Sequence, residues 1–194
     1  MVIWLVIVHS AGILIVGSSF VKRLDNYLRN CRGVLRVPLP VKLIGKGGLK
    51  LQDLRSLLDK EANSARPAYI IIHVGANDIT DLSSYAWRRE LEASVAYIQL
   101  RYPNSRLIWS DMLPRQHWRN AISTKVAEKS RKRCQLRARA LFSQEGGEII
   151  SHNLIHGDQC LSTDGVHLSE TGQQVFREDL EDGILRIMGW SHNV

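Results

Sequence analysis

Cysteine is scarce in this chain and poorly placed for cross-linking. The three residues, Cys31, Cys134 and Cys160, are odd in number and far apart. No CxxC or Cys/His pair has metal-ligand spacing, so neither a disulfide framework nor a metal site is indicated, and free thiols in a reducing compartment are expected. Long apolar runs are missing too. The first ten residues, MVIWLVIVHS, are too few to span a bilayer and lack a basic flank. Val8-His9-Ser10 would pass as a signal-peptidase site, which keeps secretion open. The favoured expectation is an intracellular, cytoplasmic protein with an apolar extension over 1–12, serving as an extra strand or a tail. No low-complexity tract or internal repeat is found, which argues against disorder and against a solenoid.

What is present suits one well-filled core. The chain has 194 residues, 44% hydrophobic and 23% charged, enough for a single domain over 13–190 and short for two. Its net charge of +7 is concentrated. Between Leu113 and Arg139 nine Lys/Arg face one acid, Glu128, for a local +8, leaving −1 for the rest. The basicity belongs to a segment rather than to the fold.

Apolar patterns alternate between strand and helix. Ile13–Val16 is a continuous apolar run broken by Gly17, and Phe20, Leu24, Tyr27/Leu28 and Cys31 follow at helical spacing. Val34–Ile44 alternates loosely but contains Pro38 and Pro40, predicting an irregular or edge strand. Leu51, Leu54 and Leu57/Leu58 mark a second helix, and Tyr69–Val74 is the clearest buried strand. A helix carrying Trp87, Leu91, Val95 and Ile98, a strand at 106–110, a cationic helix over about 123–143, a short strand at 148–150 and a closing amphipathic helix complete the series. Strands apolar on both faces, alternating with helices, imply α/β architecture: a three-layer α/β/α sandwich around a parallel sheet of about five strands. Reactive groups in such sheets gather at the carboxyl ends of the strands.

Those ends are where the polar residues fall. Gly17-Ser18-Ser19 leads directly into a helix, so a serine is presented at a turn with its own N–H at the positive helix end. Alone, such a serine is an ordinary N-cap. Gly45-Lys46-Gly47-Gly48 lets backbone amides approach a bound group, though by itself it reads as a flexible turn. In Gly75-Ala76-Asn77-Asp78 the asparagine could aim a neutral donor into the crevice, or simply make an Asx-turn. Near the C-terminus, Asp164 and His167 are three apart in a loop, a spacing that lets a carboxylate hold an imidazole tautomer.

Taken together, GSS, GKGG, GAND and DGVH occur in one order around successive strand ends, and here the chain resembles the SGNH (GDSL-like) hydrolases. The resemblance runs from about Ile13 to Met188 and implies a flavodoxin-like sheet. It matches Ser19 to the nucleophile, and Asp164 and His167 to its acid and base. The oxyanion hole would be formed by Ser19, Gly48 (Gly47 being the alternative) and Asn77, with no cofactor. One position departs: the usual GDS reads GSS, with Ser18 in place of an aspartate that is not a triad member. Asp111-Met112-Leu113-Pro114-Arg115 and Asp164–Gly172 further resemble SGNH domains of animal retroelements and genes derived from them.

The implied activity is hydrolysis of a small acyl ester through an acyl-enzyme. A rival reading is a catalytically weak or inactive SGNH-fold module that binds RNA or DNA through its basic 115–139 segment. Lys125, Lys129, Arg133 and Arg137 recur every four residues and could track phosphates along one helical face, or merely keep that face solvated. Arg115, Trp118 and Arg119, in the loop after the fourth strand, form a possible substrate loop for anionic groups, or a loop pinned by one aromatic.

Overall fold

A computed structural model describes residues 12–62 and 66–190. The expectations placed on 1–12 therefore lie almost wholly outside the described residues. Five strands, β1 (Ile13–Gly17), β2 (Val41–Gly45), β3 (Tyr69–His73), β4 (Arg106–Ser110) and β5 (Glu148–Ile150), form one sheet in the order β2-β1-β3-β4-β5. Every pairing is parallel, with Gly17 beside both Gly45 and His73. The helices are α1 (Ser19–Asn30), α2 (Leu54–Glu61), α3 (Ser84–Arg101), α4 (Thr124–Gln144) and α5 (Glu170–Ile187).

Strand alternation sorts the core into two halves. Leu14, Val16, Ile70, Ile72, Leu107 and Trp109 pack toward α2, α3 and α4. Ile13, Ile15, Ile71, Ile108 and Ile150 pack toward α1 and α5. Both faces have a helical cover, which is why the central strands β1 and β3 are apolar on both faces, while the edge strand β2 carries the exposed Lys42. The result is the three-layer α/β/α sandwich around a parallel sheet that the alternating patterns implied.

The Val34–Ile44 stretch pairs only over Val41–Gly45, at the sheet edge. Pro38 and Pro40 carry no N–H for a ladder, and the Pro40 carbonyl instead accepts the Ile13 N–H at 2.9 Å. The second helix is preceded by a 3-10 turn at Leu51–Asp53. The last one begins earlier than its apolar spacing shows, at Glu170, because Ser169 Oγ caps it by accepting the Gly172 N–H at 3.1 Å. Among the described residues no helix is long and apolar enough to cross a membrane.

Candidate active site

The site lies at the carboxyl end of the sheet and starts where β1 hands over to α1. Two glycines make that crossing possible. A Cβ on Gly17 would stand 2.6 Å from the His73 carbonyl oxygen, and one on Gly45 would stand 2.1 Å from the Lys22 nitrogen. Ser18 is buried and serves as N-cap residue without a side-chain cap bond; its N–H donates to the His73 carbonyl at 3.2 Å. Ser19 is then the first residue of α1, and its N–H finds no backbone acceptor among the described residues, as befits a helix start.

His167 approaches from the loop before α5. Its Nε2 lies 3.1 Å from Ser19 Oγ and its Nδ1 lies 2.6 Å from Asp164 Oδ2. An ionised carboxylate only accepts, so Nδ1 carries the proton and Nε2 accepts from the Ser19 hydroxyl. The other carboxylate oxygen of Asp164 accepts the Val166 and His167 N–H groups at 2.9 and 2.8 Å. Desolvation pushes the Asp164 carboxyl upward, but the His167 N–H, the His167 ring and the Val166 N–H outweigh it and hold the group well below the ordinary carboxylate range. The His167 side chain is about one-fifth exposed and that of Asp164 more than two-fifths, so the pair is open to solvent.

The other predicted oxyanion residues stand after β2 and β3, the two strands that flank β1. Gly48 has φ +69° with open space where a side chain would be, and its N–H has no backbone acceptor among the described residues. Gly47 is also unobstructed but lacks the positive φ. Asn77 stands in a 3-10 turn after β3 that begins with Gly75 at φ +95°. A Cβ on Gly75 would sit 2.7 Å from the Trp87 ring, whose Nε1–H donates to the Gly75 carbonyl at 2.9 Å. Asn77 Nδ2 donates to the Leu49 carbonyl at 3.0 Å, and one amide hydrogen is left over.

Arg115, Trp118 and Arg119 part company. Arg115 is buried, and both its terminal nitrogens lie 3.2 Å from Asn77 Oδ1, so its side chain is committed inward. Trp118 is buried beside it, with the Arg115 guanidinium carbon 5.1 Å from its ring. Arg119 alone is exposed. Of the cations on α4, Lys125, Lys129 and Arg133 are exposed, as is Arg137, which donates to the Ser84 carbonyl at 2.8 Å. Arg131 and Arg139, which helped make the segment look so basic, are tied to Glu128 and Asp111.

Several supporting groups gave no signal in the sequence. His117 Nδ1 donates to the Asp164 carbonyl at 2.9 Å, and the Gln116 and His117 N–H groups both reach the Gly165 carbonyl, at 2.8 and 3.1 Å. The loop after β4 thus holds the loop carrying Asp164 and His167. Beneath the Ser18-Ser19 turn runs a largely buried chain: Asp179 Oδ2 to His152 Nδ1 (3.0 Å), His152 Nε2 to Ser110 Oγ (2.7 Å), Ser110 Oγ to His73 Nδ1 (2.9 Å). Burial, with the nearby His152 and Arg115, keeps His73 neutral by lowering its pKa well below the usual value. Only contacts between distant segments reveal either feature.

Asp78, next to Asn77, supplies a stability prediction. Burial raises its pKa from 3.8 to about 7, against the Leu51 N–H and the Lys50 charge, which lower it. The native chain therefore holds this proton more tightly than the unfolded chain, and stability falls as pH rises from about 4 to 7. Asp78→Asn is expected to stabilise the fold at pH 8 by up to about 4 kcal/mol, seen as a higher Tm, and to give no gain below pH 4. Thermal melts across that range check it, and an equal gain at both ends would refute it.

No family model matches the chain, and no curated protein does. Solved structures do. A GDSL-like lipase from Bacteroides thetaiotaomicron aligns with a TM-score of 0.71 and 11% identity, over 91% of this chain and 89% of that one. The lipase/acylhydrolase from Enterococcus faecalis aligns at 0.68 and 18%, over 89% and 95%. A psychrotrophic esterase from Pseudoalteromonas, in a structure inhibited by monoethylphosphonate, aligns at 0.68 and 16%, over 92% and 99%. The likeness covers nearly the whole chain, and at these identities it establishes the fold: the SGNH (GDSL-like) hydrolase fold.

Proposed function

We propose that the protein is a serine hydrolase that cleaves a small acyl ester. The observation that carries this is the unbroken hydrogen-bonded chain Ser19–His167–Asp164 at the mouth of the sheet. The Ser19 hydroxyl proton passes to His167 Nε2 as Oγ bonds to the acyl carbon, and the carbonyl electrons move onto its oxygen. That oxyanion is met by the N–H groups of Ser19 and Gly48 and by the free amide hydrogen of Asn77, each such donor contributing about 3–4 kcal/mol in the transition state. Collapse expels the alcohol, which takes the proton from His167. Water, deprotonated by His167, then attacks the acyl-enzyme, and the acid leaves as Ser19 recovers its proton. The names of the structural neighbours, a lipase, an acylhydrolase and an esterase, favour the same chemistry.

The test is labelling by a fluorophosphonate, mapped by peptide mass spectrometry, beside a panel of acetyl to long-chain esters. Stoichiometric modification of Ser19 is expected. No labelling, or labelling undiminished in Ser19→Ala, overturns the assignment.

A second reading, RNA or DNA binding through α4, is favoured by one observation. Lys125, Lys129, Lys132 and Arg133 are exposed, and among the described residues no salt bridge engages them. Binding of an oligonucleotide should then weaken steeply with salt, and no measurable affinity at low salt removes the reading.

A further inference from the structure

Arg115 sits where a substrate-gripping cation is not needed and a positioning cation is. Its backbone N–H donates to Glu128 Oε1 at 3.1 Å, which fixes the start of the side chain. The guanidinium then lies 5.4 Å from the Phe20 ring centroid and 5.1 Å from that of Trp118, between two aromatic faces. Nη1 and Nη2 both point at one atom, Asn77 Oδ1, while Nε is buried without a partner. Burial lowers the pKa only to about 10, so the group stays cationic at neutral pH.

A side-chain amide has two nearly isosteric orientations, and only one presents N–H to an oxyanion. In this protein both ends of Asn77 are committed. The oxygen meets a cation, and the nitrogen meets the Leu49 carbonyl next to Gly48. The flipped amide would set an NH2 group against a guanidinium and an oxygen against a carbonyl. We infer that Arg115 is a positioning residue for the oxyanion hole, holding the Asn77 amide in its donating orientation and polarising it toward the hole. This rests on the hydrolase reading above. It also displaces the alternative in which Arg115 grips an anionic substrate, because the side chain is buried and both its terminal nitrogens bond Asn77 Oδ1.

The experiment compares wild type, Arg115→Met, Arg115→Lys, Asn77→Ala and the Asn77→Ala/Arg115→Met double variant on one neutral and one anionic acetyl ester, with circular dichroism to confirm folding. Arg115→Met should lower kcat about 10²-fold on both esters, the lower end of what loss of an oxyanion donor costs, with KM within twofold. Arg115→Lys, which keeps the charge but has one nitrogen on a flexible stem in place of two, should fall between. In the Asn77→Ala background the Met substitution should cost little more, because the amide it orients is gone. Losses that multiply overturn the inference, as does a KM effect confined to the anionic ester. Should Arg115→Met not fold, a Lys variant with full kcat overturns it equally. A wild-type chain that turns over no ester and takes no fluorophosphonate overturns the hydrolase reading, and this inference with it. An active wild type with an indifferent Arg115 overturns the inference alone.

Discussion

Ser19→Ala and His167→Ala are each expected to lower kcat on an activated acetyl ester by about 10⁶-fold, and the double variant by no more than either. In the proposed mechanism nucleophile and base act as one unit, the 3.1 Å hydrogen bond from Ser19 Oγ to His167 Nε2 being the path of the first proton. Without the hydroxyl there is no acyl-enzyme, and without the imidazole the hydroxyl stays protonated near neutral pH. Neither side chain belongs to the core. His167 is partly exposed, and Ser19 begins a helix whose burial comes from Phe20, Val21, Leu24 and Leu28. Tm should therefore change little, which separates loss of chemistry from loss of fold. The measurement is turnover by purified variants, with active-site titration to exclude wild-type carry-over. Retention of more than a hundredth of wild-type kcat by Ser19→Ala would show that another group is the nucleophile.

Legibility in the sequence divides along physical lines. Strands such as Tyr69–His73 are readable because both faces are buried, so their apolar runs are uninterrupted. The helix of Ser19–Asn30 is readable from its buried stripe. Ser19, Gly48 and Asn77 follow strand ends, and Asp164 and His167 share one loop. Each motif alone is an ordinary cap, turn or loop, and the resemblance of the set to SGNH hydrolases is what singles the five out. Arg115 lies in a basic stretch that looks uniform in one dimension. In three dimensions it holds a buried cation on an amide, two cations neutralised by Glu128 and Asp111, and an exposed face on α4. Charge counted along a chain cannot separate these, because partners up to 38 residues away decide which cations meet solvent. The chain Asp179–His152–Ser110–His73 is hidden for the same reason: it joins two strand ends, a loop and a helix, and no two members are within 25 residues of each other.

The second large effect belongs to Asp164. Asp164→Asn is expected to reduce kcat about 10⁴-fold while leaving KM and folding nearly intact. The carboxylate does two jobs through different oxygens. Oδ1 accepts the Val166 and His167 N–H groups and so shapes the loop, and Oδ2 accepts the His167 Nδ1 proton. An asparagine keeps the first job with its carbonyl oxygen, so the turn survives, and the His117 contact to the residue-164 carbonyl is untouched. It inverts the second. An NH2 group now faces Nδ1 and donates to it, so the ring proton moves to Nε2, the nitrogen that must accept from Ser19. The nucleophile then has no base, although every heavy atom is nearly where it was. Nitrogen chemical shifts of His167 should report the change of tautomer directly, and fluorophosphonate labelling of Ser19 should slow in proportion to kcat. A variant within tenfold of wild type would mean that Asp164 only shapes its loop, and that the imidazole is oriented by something else.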